Sequence, residues 1–401
     1  MEFAISEEGR IVEDQVLRML NDDIIPAEKR YAEEIKSTPN GEDPPVMKEL
    51  RAKAKGLGLW NLYLPDQEWG AGLSNHDYSV LCEHMGRSGL APRVFNCQAP
   101  DTGNAEILAE FGSDEQKERW LKPLLEGEIR SCFSMTEPEV SGADPTGLRT
   151  TAVRDGDEWV INGLKWFTSG AVGAAFAIVM VVTNPDGAPH ERASMIVVPT
   201  DAPGFNLIRS VPVMGHSGGG GHCEIRYENC RVPADALLGP EHGGFMIAQA
   251  RLGPGRIHHC MRAIGMAERG FEIMCRHANN RDIAGTLLRD KQIVQDWIAT
   301  SRMEIDQARL LTQYAAWKMD KVGKKEARQE LSMVKVVVPN MMMQVLDRAI
   351  QSMGALGVSD DTPVAAMWRN GRALRIADGP DEAYLYPHLL SAHRREIAFA
   401  G

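Results

Sequence analysis

A chain of 401 residues, 43% apolar and 25% charged, is too long for one small core and too apolar to stay disordered, so two or three globular domains are expected. Its net charge of −11 argues against broad binding to nucleic acid or an anionic membrane surface, yet leaves room for a local basic pocket. The seven cysteines are odd in number, scattered and without a C-x-x-C pair, which argues against a disulfide frame or zinc site and for reduced thiols in a cytoplasmic protein.

The stretch Met1 to Arg10 carries Glu2, Glu7 and Glu8 and no apolar run, so it does not read as a signal peptide. Residues 1–128 read as a helical domain. Ile11, Val12, Val16, Leu17 and Leu20 recur at helical spacing, and Val46 to Leu57 resumes it after a loop at Asn40-Gly41 and Pro44-Pro45. Asp66 to Ser74 is a glycine-rich loop with Ser74 as the expected N-cap of the next helix. Ser113-Asp114-Glu115-Gln116 has the cap and acidic first turn of another.

Residues 129–242 read as a small antiparallel β-barrel or sandwich. Thr150 to Val153, the turn Asp155-Gly156-Asp157 and Trp159 to Ile161 make a hairpin. Phe176 to Thr183, Ser194 to Pro199, Phe205 to Val211 and Cys223 to Tyr227 are further strands. The most apolar run, Ala171 to Val182, is shorter than the ~20 residues of a membrane span and reads as a buried strand. Between Cys132 and Gly170, hydroxyls and small residues (Thr136, Ser141, Gly142, Thr168) lie near flat side chains (Phe133, Trp166, Phe167). That mixture suits a planar, polar-edged cofactor such as a flavin; it also suits an ordinary hairpin core.

Residues 243–401 return to helical spacing and read as a four-helix bundle. Gly253-Pro254-Gly255 is expected to break one helix and Arg256 to open a long one, and Ile305, Ala308, Leu311, Ala315 and Met319 form an apolar stripe closed by Gly323. Leu331, Val334, Val338, Val345 and Ala349 form another stripe, with Pro339 expected to kink it and Met341-Met342-Met343 as core or interface filling. No strand leads into G-x-G-x-x-G, which excludes a Rossmann fold, and Gly218 to Gly221 lacks the Lys-Ser/Thr of a P-loop.

Five segments in order resemble the acyl-CoA dehydrogenases over nearly the whole chain: Leu64-Pro65 with Glu68-Trp69-Gly70, Met135-Thr136-Glu137-Pro138, Ile161 to Thr168, Asn280-Arg281, and Gln351 to Gly357. Gly253 to Met261 and Ala377 to Glu382 resemble the subgroup related to animal members fused to a phosphotransferase-like domain; no kinase-like segment is read in this sequence. The resemblance implies the three-part α, β, α fold and one FAD per subunit. Phe133, Met135, Thr136, Ser141, Gly142, Trp166, Phe167 and Thr168 would surround the flavin, with Pro380 and Glu382 nearby. Arg281 would reach a neighbouring subunit's FAD, with Gln351 and Gly354 lining it, so a homodimer or homotetramer is implied. Phe95, Asn96, Cys97 and Pro100 would face the acyl tail, and Pro254, Gly255, Arg256 and Gly379 would line the substrate.

The implied reaction is α,β-dehydrogenation of an acyl-CoA to a trans-2-enoyl-CoA. Asp378 stands where the family commonly has glutamate and would take the α-proton; by its own residues alone, Asp-Gly-Pro-Asp-Glu reads first as helix-cap chemistry. Its backbone N–H would support the thioester oxygen. The alternative base position falls on Gly255, which has no side chain. Arg256 reads as a CoA contact or an ion-pair partner. His258 and His259 read as structural or substrate-polar, and His216, His222 and His258 could meet a 4-oxygenated acyl chain. Ile283-Ala284-Gly285, Ala143 and Ala355 depart from the family's pattern without abolishing flavin binding. Electrons would pass to an electron-transfer flavoprotein. An oxidase of the same fold, acting on an acyl-CoA or a nitroalkane, and a flavin-free relative are the alternatives.

Overall fold

The computed structural model describes residues 4–215 and 220–384. The chain forms two compact units, one of residues 1–26, 73–92 and 256–401, the other of residues 27–72 and 93–255.

The first unit is helical. Its elements are α1 (Glu7–Met19), α2 (Asn75–Gly86), α3 (Gly244–Asn280, from Arg256 onward), α4 (Gln292–Glu326), α5 (Arg328–Met353), α6 (Val364–Arg372) and the short α7 (Asp381–Tyr384). Ser6 caps α1 and Ser74 caps α2, each accepting a backbone N–H three residues on, as the sequence predicts for Ser74. Where α2 crosses α3, two glycines remove the side chains that would hold them apart. A Cβ on Gly265 would lie 2.0 Å from the Glu83 carbonyl oxygen, and one on Gly86 would lie 2.2 Å from that of Arg262. Arg309 of α4 then ties Glu83 of α2 to Glu268 of α3, with oxygens at 2.7 Å in both pairs. Gly323 leaves the helical path in α4 at φ 84°, ψ 167°, which places the expected stop where the sequence reads it. The expected break at Gly253-Pro254-Gly255 is not one: α3 runs through it without interruption. Proline removes only one N–H from the ladder, and a helix of 37 residues retains enough bonds to continue past it.

The second unit carries an eight-stranded sheet, in the order β6-β7-β3-β2-β4-β5-β8 with β1 beside β4. The strands are β1 (Ser131–Ser134), β2 (Thr151–Asp155), β3 (Glu158–Ser169), β4 (Phe176–Val182), β5 (Ala193–Pro199), β6 (Phe205–Ser210), β7 (His222–Pro233) and β8 (Leu237–Leu238). The predicted hairpin is β2–β3, in register from Thr151 opposite Asn162 to Asp155 opposite Glu158. Two pairings depart from a purely antiparallel sheet, since β1 and β2 both run parallel to β4. Every residue of β4 is buried, which explains its unbroken apolar run. Ile161, Ile178, Val198, Ile225 and Tyr227 lie in the core of this unit. Helices Pro45–Gly56 and Asp101–Phe111 belong to the same unit, as does the capping box at Ser113 and Gln116.

Candidate active site

In the β-unit, the candidate flavin wall is built on the end of β3 and the loop after β1. Lys165 points inward from β3 and is fully buried. Its ammonium donates to the Met135 carbonyl at 2.8 Å and to the Glu137 carboxylate at 2.9 Å. Glu137 also accepts the backbone N–H groups of Arg149 and Thr150, at 2.8 and 2.9 Å. Burial pushes the Lys165 ammonium down to about 8, partly countered by Glu137. Burial also pushes the Glu137 carboxyl upward, but Lys165 and the Thr150 bonds outweigh it and hold the group below its ordinary value. The loop from Met135 to Glu137 is thus pinned from beneath, and the Trp166 backbone N–H donates to the Thr136 carbonyl at 3.0 Å.

Above this anchor, the register of β3 against β7 shifts between Lys165 and Thr168. Phe167 takes φ 51°, rare for a bulky residue, and stands 40% exposed. Its ring meets Trp166 edge-on, centroids 4.9 Å apart. Thr168 is buried, its hydroxyl 3.1 Å from that of Ser134, which in turn accepts from the Tyr227 hydroxyl. Phe133 lies under the Arg251 guanidinium at 3.9 Å from the ring centroid. Ser141 and Gly142 lie exposed in the loop beyond.

Of the residues expected at the acyl tail, Phe95, Asn96 and Cys97 are buried. The Asn96 amide is occupied by the Asn61 side chain at 2.7 Å and by the carbonyls of Leu124 and Leu125. Pro100 lines a cavity with Arg130 and Ser169. Pro254 and Gly255 lie within α3.

In the helical unit, Asp378 sits in the turn before α7 at φ 57°, three residues ahead of the helix and therefore not at its cap. Lys335 of α5, almost fully buried, donates to the carbonyls of Leu374 and Gly379, at 2.6 and 3.2 Å, and so clasps both ends of that turn. Asp381, buried at the start of α7, accepts from Arg375 at 2.7 Å and Asn340 at 2.9 Å. The His259 Nε2 lies 3.4 Å from the Asp378 carboxylate, while Arg262 lies 3.2 Å from the His259 Nδ1. A guanidinium only donates, so Nδ1 accepts and the ring proton is on Nε2, facing Asp378. His258 packs edge-on to Tyr78 in the core, and burial pushes its imidazole well below its ordinary value. That is the structural one of its two readings. Arg281 and Gln351 are exposed, Gly354 ends α5 at φ 60°, and Pro380 and Glu382 flank Asp381. His216 lies outside the described residues.

Family models describing the acyl-CoA dehydrogenase N-terminal, middle and C-terminal domains match residues 6–128, 132–230 and 242–385. The chain is 49% identical to the probable acyl-CoA dehydrogenase FadE2 of Mycobacterium tuberculosis, covering 99% of this chain and 97% of that one. The chain belongs to the acyl-CoA dehydrogenase family. It is 47% identical to acyl-CoA dehydrogenase family member 11 of Gallus gallus over 96% of its own length, and spans about half (50%) of that relative. A solved structure of a putative acyl-CoA dehydrogenase from Mycobacterium abscessus superposes with a TM-score of 0.93 at 45% identity, covering 99% of this chain and 100% of that one. As an acyl-CoA dehydrogenase, the chain is an oxidoreductase, and the family uses FAD. The wall in the β-unit fits that group on physical grounds: the Trp166 indole N–H is buried without a hydrogen-bond partner among the described residues, beside the Thr136 loop and the exposed Phe167 ring. Among the described residues no helix is long and apolar enough to cross a membrane.

Sequence reasoning passed over Lys165, Lys335 and the partner of His259. Lys165 did leave a signal: a charge at an inward position of an alternating strand, between Ile161 and Thr168. Lys335 left a similar one, in the apolar stripe with Leu331, Val334 and Val338.

Proposed function

We propose that the chain removes the α-proton of an acyl-CoA thioester with Asp378, forming a trans-2-enoyl-CoA. The observation that carries the reading is the Asp378 turn: a strained aspartate, held by Lys335 and faced by the His259 N–H. When bound, FAD supplies the acceptor for the β-hydride. Phe133, Met135, Thr136, Ser141, Gly142, Trp166, Phe167 and Thr168 would hold its flavin, Pro380 and Glu382 would lie near it, and Arg281, Gln351 and Gly354 would serve a neighbouring subunit's FAD. His259, 3.4 Å away, holds the Asp378 carboxylate in place to accept a proton. The Asp378 backbone N–H supports the thioester oxygen as negative charge develops there. Phe95, Asn96, Pro100, Pro254, Gly255, Arg256 and Gly379 form the substrate side.

The reading extends to a homodimer or homotetramer in the cytoplasm, domains at 1–128, 129–242 and 243–401, and an electron-transfer flavoprotein as acceptor. The relation to acyl-CoA dehydrogenase family member 11 supports placing the chain in that subgroup. The reading takes a 4-oxygenated acyl chain as substrate.

Asp378→Asn tests the base. The variant should retain FAD and bind acyl-CoA, while flavin bleaching slows by about 10²–10⁴-fold, the usual contribution of a positioned base. Bleaching at the wild-type rate would remove Asp378 from the mechanism.

A further inference from the structure

A cavity of about 140 Å³ lies within the β-unit, bounded by Pro100, Arg130, Ser169, Gly170, Gly221 and His222. One water needs ~10–15 Å³ of such space, so a group of several atoms fits. One wall is polar and already paired, the Ser169 hydroxyl lying 2.7 Å from the His222 Nδ1. The other is a cation short of partners. Arg130 Nε and Nη1 are buried and have no hydrogen-bond partner among the described residues, and its nearest carboxylate, Asp101, stands 3.7 Å from Nε. Asp101 is committed elsewhere: it accepts the N–H and hydroxyl of Ser131, at 2.8 and 2.7 Å, and the Gln98 amide at 2.6 Å.

Behind Arg130 stand two more half-enclosed guanidiniums, Arg51 and Arg93, which share Asp43. Three cations therefore share two carboxylates, at low solvent exposure. Burial holds Arg51 and Arg93 below their ordinary values, and Arg130 pushes both in the same direction. A buried charge with idle donors is costly unless something completes it, and a guanidinium is most fully completed by an oxyanion.

We infer that this cavity is a subsite for a small oxyanion group, a carboxylate or a phosphate, bound by Arg130 beside the Ser169–His222 pair. Ser169 and Gly170 directly follow Thr168, and Pro100 is one of the acyl-side residues; resting on the dehydrogenase reading, the anion is one carried on the acyl portion of the thioester. Free phosphate offers the same chemistry, and two arms of one experiment separate the sources.

In the first arm, inorganic phosphate is titrated at constant ionic strength into FAD-loaded wild type and Arg130→Gln, following the melting temperature. Phosphate should raise it for the wild type and not for the variant. In the second arm, flavin reduction is followed with an acyl-CoA ending in a carboxylate and with a neutral one of equal length. Arg130→Gln should lower kcat/KM for the charged thioester by about 10- to 100-fold, the range for losing a hydrogen bond to a charged group, and leave the neutral one unchanged. Ser169→Ala should act in the same direction more weakly, and replaces Arg130→Gln if that variant fails to fold. No phosphate-specific shift together with equal losses on both thioesters overturns the subsite. Phosphate binding without preference for the charged thioester overturns the acyl assignment alone. If neither thioester reduces the flavin, the dehydrogenase reading fails, and the phosphate arm decides the subsite by itself.

Discussion

Lys165 and Lys335 are both buried, one in each unit, and each fastens the loop that carries proposed site residues. They do it differently. Lys165 shares its charge with a carboxylate, Glu137, which is itself held by two backbone N–H groups. Lys335 spends its hydrogen bonds on the Leu374 and Gly379 carbonyls at the two ends of the Asp378 turn. The first arrangement is a buried ion pair, costly to break from either side. The second is a clasp on backbone, made by an ammonium that also feels the charges of Asp378 and Asp381. The same residue type therefore serves mainly stability in the β-unit and mainly geometry in the helical one.

Breaking the pair should have the largest effect. Glu137→Gln leaves the Lys165 ammonium buried with a weaker partner, and urea unfolding should show a loss of about 3–5 kcal/mol. The double change Lys165→Met with Glu137→Leu should restore part of that stability, because neither charge then remains buried, although the Arg149 and Thr150 N–H groups and the Met135 carbonyl lose their partners. A double variant as unstable as the single one would mean that the pair is not the anchor.

Lys335→Met should cost less stability and more activity. With two carbonyl bonds lost, flavin bleaching should slow roughly tenfold or more, with KM and FAD content little changed, and Lys335→Arg should recover part of the rate. A fall in stability with kcat preserved would turn this lysine into a second Lys165.

The smallest effect is a pH dependence. Glu137 holds its proton less readily in the folded chain than at its ordinary value of 4.5, so the unfolded state binds more protons as acid is added. The stability it contributes is fully present above 4.5 and is lost as pH falls towards its lower folded value. The gap between wild type and Glu137→Gln in denaturant midpoint should narrow across that window; a constant gap would count against the charged form of the pair.

These contrasts also mark what a linear reading could reach. The hairpin at Gly156, the fully buried β4 and the caps at Ser74 and Ser113 are local, and their residues announce them through period, turn chemistry and spacing. The Met135-Thr136-Glu137 and Trp166-Phe167-Thr168 segments were legible as a place for a flat ligand. β1, the parallel pairings to β4 and the arginine cluster were not, because each joins residues far apart in the chain and none has a local signature; the two lysines show locally as misplaced charges, but their partners lie 28 to 44 residues away. Pro254 misled for the opposite reason: its local signal was strong, and the remaining bonds of a 37-residue helix overrode it.

The glycine crossing of α2 and α3 carries a consequence for motion. A contact made by Gly86 and Gly265, backbone on backbone, contains no rotamers and cannot loosen by side-chain rearrangement. The stretch of α3 that holds His259 is thus moored, within its unit, at a point that yields only when the helices part. Amide hydrogens on either side of the crossing should therefore exchange with solvent at the pace of whole-unit opening, while those of the Asp378 turn exchange through smaller, cheaper fluctuations.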